Sequence, residues 1–302
     1  MPMVMLAVVI VSWNVRDLLR TCLDSLLADV EASGIPSCIV VVDSASTDET
    51  PAMVRAEFPA VELIACDDNI GYVKGNNLAL THLGIAGKVG QAVAQPARLA
   101  CASFRFAWLL NPDTVVHRGA AKALLDFMEA HPRCGLCGPK LLNPDGSLQH
   151  GAFALPGLVQ LALETQPVLW RFRDTWLDGR YAAAQYEGPP FRVGHPLGAA
   201  MFARVEAIRQ VGLLDEGFEM YAEEVDWAMR MHKAGWEIWC VPQAVVTHYG
   251  GASSGQVSER AERLKWRSRQ RYYRKHYGPL KRWLAMRLVP SQHRQAGDSA
   301  AD

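Results

Sequence analysis

The chain predicts an α/β fold, a mostly parallel sheet with helices on both of its faces. Three observations carry this. Continuous apolar runs of strand length, VMLAVVIVS at 4–12 and CIVVVD at 38–43, suit strands covered on both sides. Between them Leu18, Leu19, Leu23, Leu26 and Leu27 recur at helical spacing. A third strand-like run, VELIAC, follows a segment opened by the cap residues Ser46, Thr47 and Asp48, which completes a βαβαβ alternation.

The remaining elements follow in order. DDNIGYVKGNNLAL is a polar loop entering a helix. Residues 84–103, rich in Ala and Gly, break the rhythm and read as a mobile surface insertion. A strand over 105–110 stops at Asn111-Pro112-Asp113, and a helix follows at about 118–130. GLCGPKLL is a strand and NPDGSLQ a turn, whereas 155–192 has no clear period. LGAAMFAR is a strand, VEAIRQVG a short helix ending at Gly212, and MYAEEVDWAMRMHKAG an amphipathic helix ending at Gly235. WEIWCV and AVVTHYGG read as two short strands, and 257 to about 287 as one basic, aromatic helix. No internal repeat is visible.

The 302 residues, half of them apolar, suffice for one large or two modest domains. Lys plus Arg equals Asp plus Glu at 31 each, so the whole chain has no electrostatic reason to bind nucleic acid. Seven scattered cysteines argue against a disulfide framework and for a reducing compartment. Cys134 and Cys137 form a CxxC without a second pair at zinc spacing, and read as small buried residues. The apolar opening lacks a basic n-region and a cleavage site, so it reads as a core strand. No stretch reaches the roughly 18 apolar residues of a membrane span. The expected location is cytoplasmic, free or peripheral on the inner membrane face.

Ligands of open parallel sheets bind outside the carboxyl ends of the strands. Here the strand exits are Ser12-Trp13-Asn14, Asp43, Asp67-Asp68-Asn69 and Asn111-Pro112-Asp113, polar at each of four positions. Any one of these is an ordinary turn or cap residue; together on one rim they point to a site. No GxGxxG follows the first strand and no GxxxxGK[ST] occurs, so a bound nucleotide would need its diphosphate neutralised otherwise. A divalent cation does this, and Asp113 is the candidate ligand. Pro112 fixes its own φ and biases Asn111 toward extended backbone, stiffening the strand end before that carboxylate. Glu223, Glu224 and Asp226 fall within one helical turn beside Tyr221 and Trp227. Helix-dipole compensation and an i,i+4 pair with Arg230 account for Asp226; the density of acids supplies a general base. His248 leaves a short apolar strand beside a Gly pair, and spacing alone leaves its role open between structure and ligation.

These pieces, taken together, resemble the family 2 glycosyltransferases, and among them the rhamnosyltransferase-like branch. The matching stretches are VVIVSWNVRDLLRTCLDSL, IVVVDSASTDET, NIGYVKGNN, WLLNPDTVV, LGAAMFARVEAIRQVGLLDEGFEMYAEEVDWAMRMHKAGW and VVTHYGGASSG, in family order over roughly 6–256. The resemblance implies a GT-A fold over 1–256, with a nucleotide-sugar half to about 115 and an acceptor half beyond it. It implies a nucleotide-sugar donor, a glycan or polyprenyl-linked acceptor, Mg²⁺ or Mn²⁺, and inversion at the anomeric carbon. Asn111-Pro112-Asp113 stands where the family has its Asp-x-Asp element, with only the last Asp kept. Asp113 is then a metal ligand and His248 a further metal or diphosphate ligand. Asp43 contacts the nucleoside, with Ser12 and Asn14 nearby; Asp68, Asn69, Lys74, Asn76 and Asn111 complete the donor side. Lys74 replaces a usual small residue and either pairs with phosphate or stays solvated. The family's base is the second acid of a Glu-Asp pair, here Glu224, with Glu223 and Asp226 as substitutes. A nucleotidyltransferase, or a catalytically silent nucleotide-sugar-binding protein, is the alternative.

Residues 259–288 carry many Lys and Arg against two acids, with Trp266, Tyr272, Tyr273, Tyr277 and Trp283 interleaved. This composition fits a basic helical tail, 257–302, packed by its aromatic face or lying on an anionic membrane.

Overall fold

The computed structural model describes residues 4–86, 103–172, 175–250, 258–290 and 293. Its strands are β1 (Val4–Ser12), β2 (Ser37–Asp43), β3 (Glu62–Ala65), β4 (Ser103–Leu110), β5 (Thr114–Val116), β6 (Cys134–Leu142), β7 (Leu148–Gln149), β8 (Ala152–Phe153), β9 (Phe191–Arg192), β10 (His195–Pro196), β11 (Ala200–Arg204) and β12 (Glu237–His248). Its helices are α1 (Arg16–Ala32), α2 (Thr50–Glu57), α3 (Gly71–His82), α4 (Ala120–Ala130), α5 (Leu158–Thr165), α6 (Val205–Val211), α7 (Glu223–Lys233), α8 (Ser258–His276) and α9 (Pro279–Leu288).

The main sheet runs β3-β2-β1-β4-β11-β6-β12-β5. Its first four strands are parallel. The sheet is mixed beyond them: β11 lies antiparallel between β4 and β6, and β5 antiparallel to β12. Side-chain alternation explains the unbroken apolar runs. Leu6, Val8 and Ile10 enter one core with α1, α2 and α4, while Ala7, Val9 and Val11 enter the other with α3, α6 and α7. Gly75 of α3 lies so close to β1 that a Cβ there would stand 2.8 Å from the Val11 methyls. Cys134, Cys137 and Cys240 are buried, as small core residues. Burial pushes the Cys240 thiol up to about 12, so it stays protonated and unreactive.

Two expectations change. The two strands expected around Pro242 are one, β12, because a register shift between Val241 and Val245 takes the proline into a bulge. The helix expected from 257 to 287 is two, α8 and α9, divided at Gly278 with Pro279 opening the second. The region 155–192 holds α5 and three short 3₁₀ turns. Most of the expected insertion, 87–102, lies outside the described residues, as do 291–292 and 294–302 of the tail.

The tail helices pack on the body rather than standing apart. Trp266, Tyr272 and Tyr273 are buried in a third core with Leu161 of α5, Phe218, and Ala222 and Val225 at the start of α7. These aromatics are therefore not available to a membrane. Asp226 locks the junction. Its Oδ2 accepts from Arg230 at 2.8 Å, and its Oδ1 from His276 and Lys275 of α8, each at 2.7 Å. Burial alone would raise its pKa, but His276, Lys275 and Arg230 outweigh it and hold the carboxyl far below its ordinary 3.8. Asp226→Ala removes these bonds, while Lys275 keeps Asp215 and Arg230 keeps the Val211 and Leu213 carbonyls, and it is expected to cost about 1.5–3 kcal/mol in urea unfolding. The folded pKa is depressed, so the wild-type contribution is present above the unfolded carboxylate pKa and is lost as pH falls through the folded one.

Candidate active site

Parallel register places the strand exits side by side. Ser12 lies opposite Asp43, and Ile10 opposite Leu110 one residue before Asn111. Ser12 Oγ and Asp43 Oδ1 are buried there without a hydrogen-bond partner. Asp43 Oδ2 accepts from the Ser46 N–H at 2.9 Å. Buried polar atoms are rarely left unsatisfied, and the ribose or base edge of a nucleoside would satisfy this pair. Strain gathers at the same rim. The five non-glycine residues with positive φ among those described are Asn14, Ala45, Glu49, Tyr221 and Ala222. They lie on the loops after β1 and β2 and at the entrance to α7, a distribution typical of functional sites.

Several expected donor-side residues turn out to shape loops. Asn14, at φ 52°, accepts from the Thr47 N–H at 2.8 Å and clasps the first exit loop to the second. Asn69 accepts from the Gly71 N–H at 3.0 Å and from Ser44 Oγ at 3.1 Å. Asn76 is buried and donates to the Tyr72 carbonyl one turn back. Asp68 and Lys74 are exposed. The backbone N–H of Asn111 donates to Ala199 O at 2.8 Å, and its carbonyl accepts from Thr114 Oγ1 at 2.7 Å.

The antiparallel pairing of β5 with β12 sets His248 opposite Thr114 and so beside Asp113. The Tyr249 N–H donates to Asp113 O at 2.9 Å, closing the end of that ladder. His248 Nε2 stands 3.4 Å from Asp113 Oδ1, with both residues buried. Gln149 decides the imidazole tautomer. Its Nε2 donates to the His248 carbonyl at 3.2 Å, so its Oε1, 2.8 Å from His248 Nδ1, must accept a proton from that nitrogen. In the neutral ring the Nε2 lone pair is then left facing Asp113.

A carboxylate and an imidazole lone pair suit a divalent cation. Two ligands about 2.1 Å from one octahedral cation stand roughly 3.0 Å apart, near the span seen here. Among the described residues no group of three His, Cys, Asp or Glu side chains converges. Gln149 escaped the sequence reading because it sits in a segment that reads only as a turn.

Glu224 reaches the same rim from α7. It is half-buried against Gly198, whose added Cβ would stand 3.8 Å from the Glu224 Cβ. The next residue, Ala199, holds Asn111. Gly198–Ala199 therefore touches Glu224 on one residue and, on the next, the Asn111 end of the strand exit that leads to Asp113. Tyr72 donates from its hydroxyl to Gly198 O at 2.8 Å and lies near the charges of Glu223 and Glu224. Its role was not evident from GYVKGNN, although that stretch contains it.

Glu223 is 8% exposed, and its Oε2 has no hydrogen-bond partner. Burial, and then the charge of Glu224, push the Glu223 carboxyl up to about 8. Burial also raises Glu224 above its ordinary 4.5. Asp226, the remaining acid of the turn, has both oxygens taken by the α8 junction.

Comparison with known proteins decides the class. The profile described as "Glycosyltransferase like family 2" matches residues 2–272. The chain belongs to glycosyltransferase family 2.

This glycosyltransferase is 32% identical over 240 residues to the N-acetylglucosaminyl-diphospho-decaprenol L-rhamnosyltransferase of Mycobacterium tuberculosis, covering 78% of the chain and 74% of that protein. A mannosyltransferase from Pyrobaculum calidifontis, solved with GDP-Man and Mn²⁺, superposes over 92% of the chain and 67% of its own length at TM-score 0.56 and 16% identity. A GalNAc transferase solved with UDP, GalNAc and Mn²⁺ superposes over 82% of the chain at TM-score 0.56 and 15% identity; the chain spans only 43% of that structure. These likenesses establish the GT-A fold of the glycosyltransferase.

Proposed function

We propose that this glycosyltransferase inverts the anomeric centre of a nucleoside-diphosphate sugar, rhamnose being the first candidate, as it transfers the sugar to a hydroxyl of a polyprenyl-diphosphate-linked glycan. The reading is supported by the segment Gly198–Ala199, which packs against Glu224 and is hydrogen-bonded to Asn111, two residues before Asp113 and its partner His248. The branch relative's name supplies the acceptor class and the sugar. We read residues 1–115 as the donor half and 116–256 as the acceptor half. The work would take place at the cytoplasmic face of a membrane.

Ser12 and Asp43 offer unsatisfied oxygens to the nucleoside. Asp113 and His248 would hold a Mg²⁺ or Mn²⁺ ion. When bound, the ion offsets the negative charge of the diphosphate leaving group. Glu224 accepts the proton of the acceptor hydroxyl as that oxygen attacks the anomeric carbon from the face opposite the diphosphate. Its raised pKa brings proton affinity nearer to working pH, which makes it a better base than a solvated glutamate. Asp226 serves structure, since its carboxylate is committed to Arg230, Lys275 and His276.

The deciding experiment incubates the enzyme with a panel of nucleotide-sugars and Mn²⁺ or Mg²⁺, with and without a lipid-linked N-acetylglucosamine acceptor. Acceptor-dependent release of nucleoside diphosphate is expected with one donor, giving a product of inverted anomeric configuration. A retained configuration, or release of pyrophosphate, would exclude the mechanism.

The Gln149 contact makes a separate prediction. Gln149→Leu frees the His248 ring to rotate and change tautomer, so Mn²⁺ affinity measured by calorimetry should fall roughly 10–100-fold. Equal affinity in both proteins would remove His248 from the metal site.

A further inference from the structure

The helix α9 bears apolar side chains on two sides. Its inner side, Ala285 with Met286 and Leu288, joins the third core. Its outer side leaves Leu280 71%, Trp283 54% and Leu284 37% exposed. Positions 280, 283, 284 and 287 form one stripe of a helix, and Arg287 closes it with its guanidinium 5.2 Å from the Trp283 ring centre. Lys281 and Arg282 flank the stripe, both exposed, and α9 contains no acid. The neighbouring α5 packs against α9 and presents Val159, and the 3₁₀ turn Pro167–Phe172 that follows it presents Val168 and Arg171. A surface helix normally hides its one apolar stripe, so a second stripe in open solvent calls for a partner.

We propose that this face, built on α9 with α5 and the Pro167–Phe172 turn beside it, docks on an anionic phospholipid surface. The charge pattern selects that occupant. Basic side chains around an exposed Trp and Leu pair place cations at headgroup depth while the apolar groups enter the acyl boundary. The helix lies along the interface: ten residues extend only about 15 Å, and among the described residues no helix is long and apolar enough to cross a membrane. The attachment is stiff, because the third core that holds α9 also contains Ala222 and Val225, which bracket Glu223 and Glu224. The proposal deepens the lipid-linked-acceptor reading, on which it rests, by naming the surface that brings the acids at the start of α7 to such an acceptor. It also moves the membrane contact away from the aromatics of α8, which are buried.

The test is co-sedimentation of the full chain with vesicles of mixed anionic and zwitterionic phospholipid, against purely zwitterionic vesicles. The triple variant Leu280→Ser, Trp283→Ser, Leu284→Ser changes exposed positions only. Wild type should bind the anionic vesicles, and less as salt rises. The variant should bind at least about tenfold more weakly and keep its transfer rate to a water-soluble, short-chain acceptor. Equal vesicle binding by variant and wild type overturns the proposal. So does a wild-type dimer that the variant abolishes while vesicle binding persists, because the face would then join two copies. Absence of transfer by wild type to any acceptor would instead count against the functional reading, and leaves the vesicle result to be judged by itself.

Discussion

A Glu224→Gln variant is expected to lose roughly 10²–10⁴-fold in kcat while its stabilisation by donor, read as a thermal shift, stays within experimental scatter. The substitution keeps the shape of the side chain and removes only its ability to take a proton. The fold should tolerate it, since Glu224 lies half-buried at a helix start with its stem against Gly198. The wild-type pH profile supplies a second check. A base works deprotonated, and burial raises the Glu224 pKa above 4.5. The rate should therefore climb with pH through a value higher than that of a free glutamate, and this limb should vanish in the variant. Glu223 titrates at about 8, held up by burial and by the charge next to it. Near pH 7 it is mostly the protonated member of the pair. Glu223→Gln imitates that protonated form and should lose far less activity than Glu224→Gln. The reverse order of damage would transfer the base role to Glu223.

Asp113→Ala should remove transfer by roughly 10³-fold or more, a loss on the scale of deleting a preorganised electrostatic contact to the leaving group. The reason lies in the sparse ligand set. The resemblance has a second carboxylate where Asn111 stands, and among the described residues Asp113 is paired at that point with His248. The defect should appear in binding as well as rate, with the metal-dependent part of nucleoside-diphosphate affinity lost in calorimetry and not restored by excess Mn²⁺. His248→Ala, which leaves the carboxylate, should be milder. Full metal-dependent activity in Asp113→Ala would remove the carboxylate from the site.

Much of the first half of the chain was legible in the linear sequence. Runs such as VMLAVVIVS are buried on two faces, so their apolar pattern is continuous and easily read. Strand exits are polar for a local reason, and parallel topology then gathers them. The second half was harder to read. Pro242 looks like a strand boundary because the partner against which β12 bulges, Pro139–Lys140 of β6, lies a hundred positions earlier. The tail left open whether its aromatic face packs or meets a membrane, because Trp266, Tyr272 and Tyr273 find their partners in α5 and α7, beyond any local window.

By itself the amino-acid order determined the α/β class, the rim of polar strand exits, and the residue types a glycosyl transfer requires, since period, turn chemistry and ionisation are properties of short stretches. Only the tertiary structure decided that Asp226, unlike Glu223 and Glu224, has both carboxylate oxygens engaged by α8 and Arg230, which nitrogen of His248 faces Asp113, and which side of the tail meets solvent. Each of those depends on desolvation and hydrogen bonds from groups far along the chain: Lys275 and His276 for Asp226, Gln149 for His248, and the third core for α9.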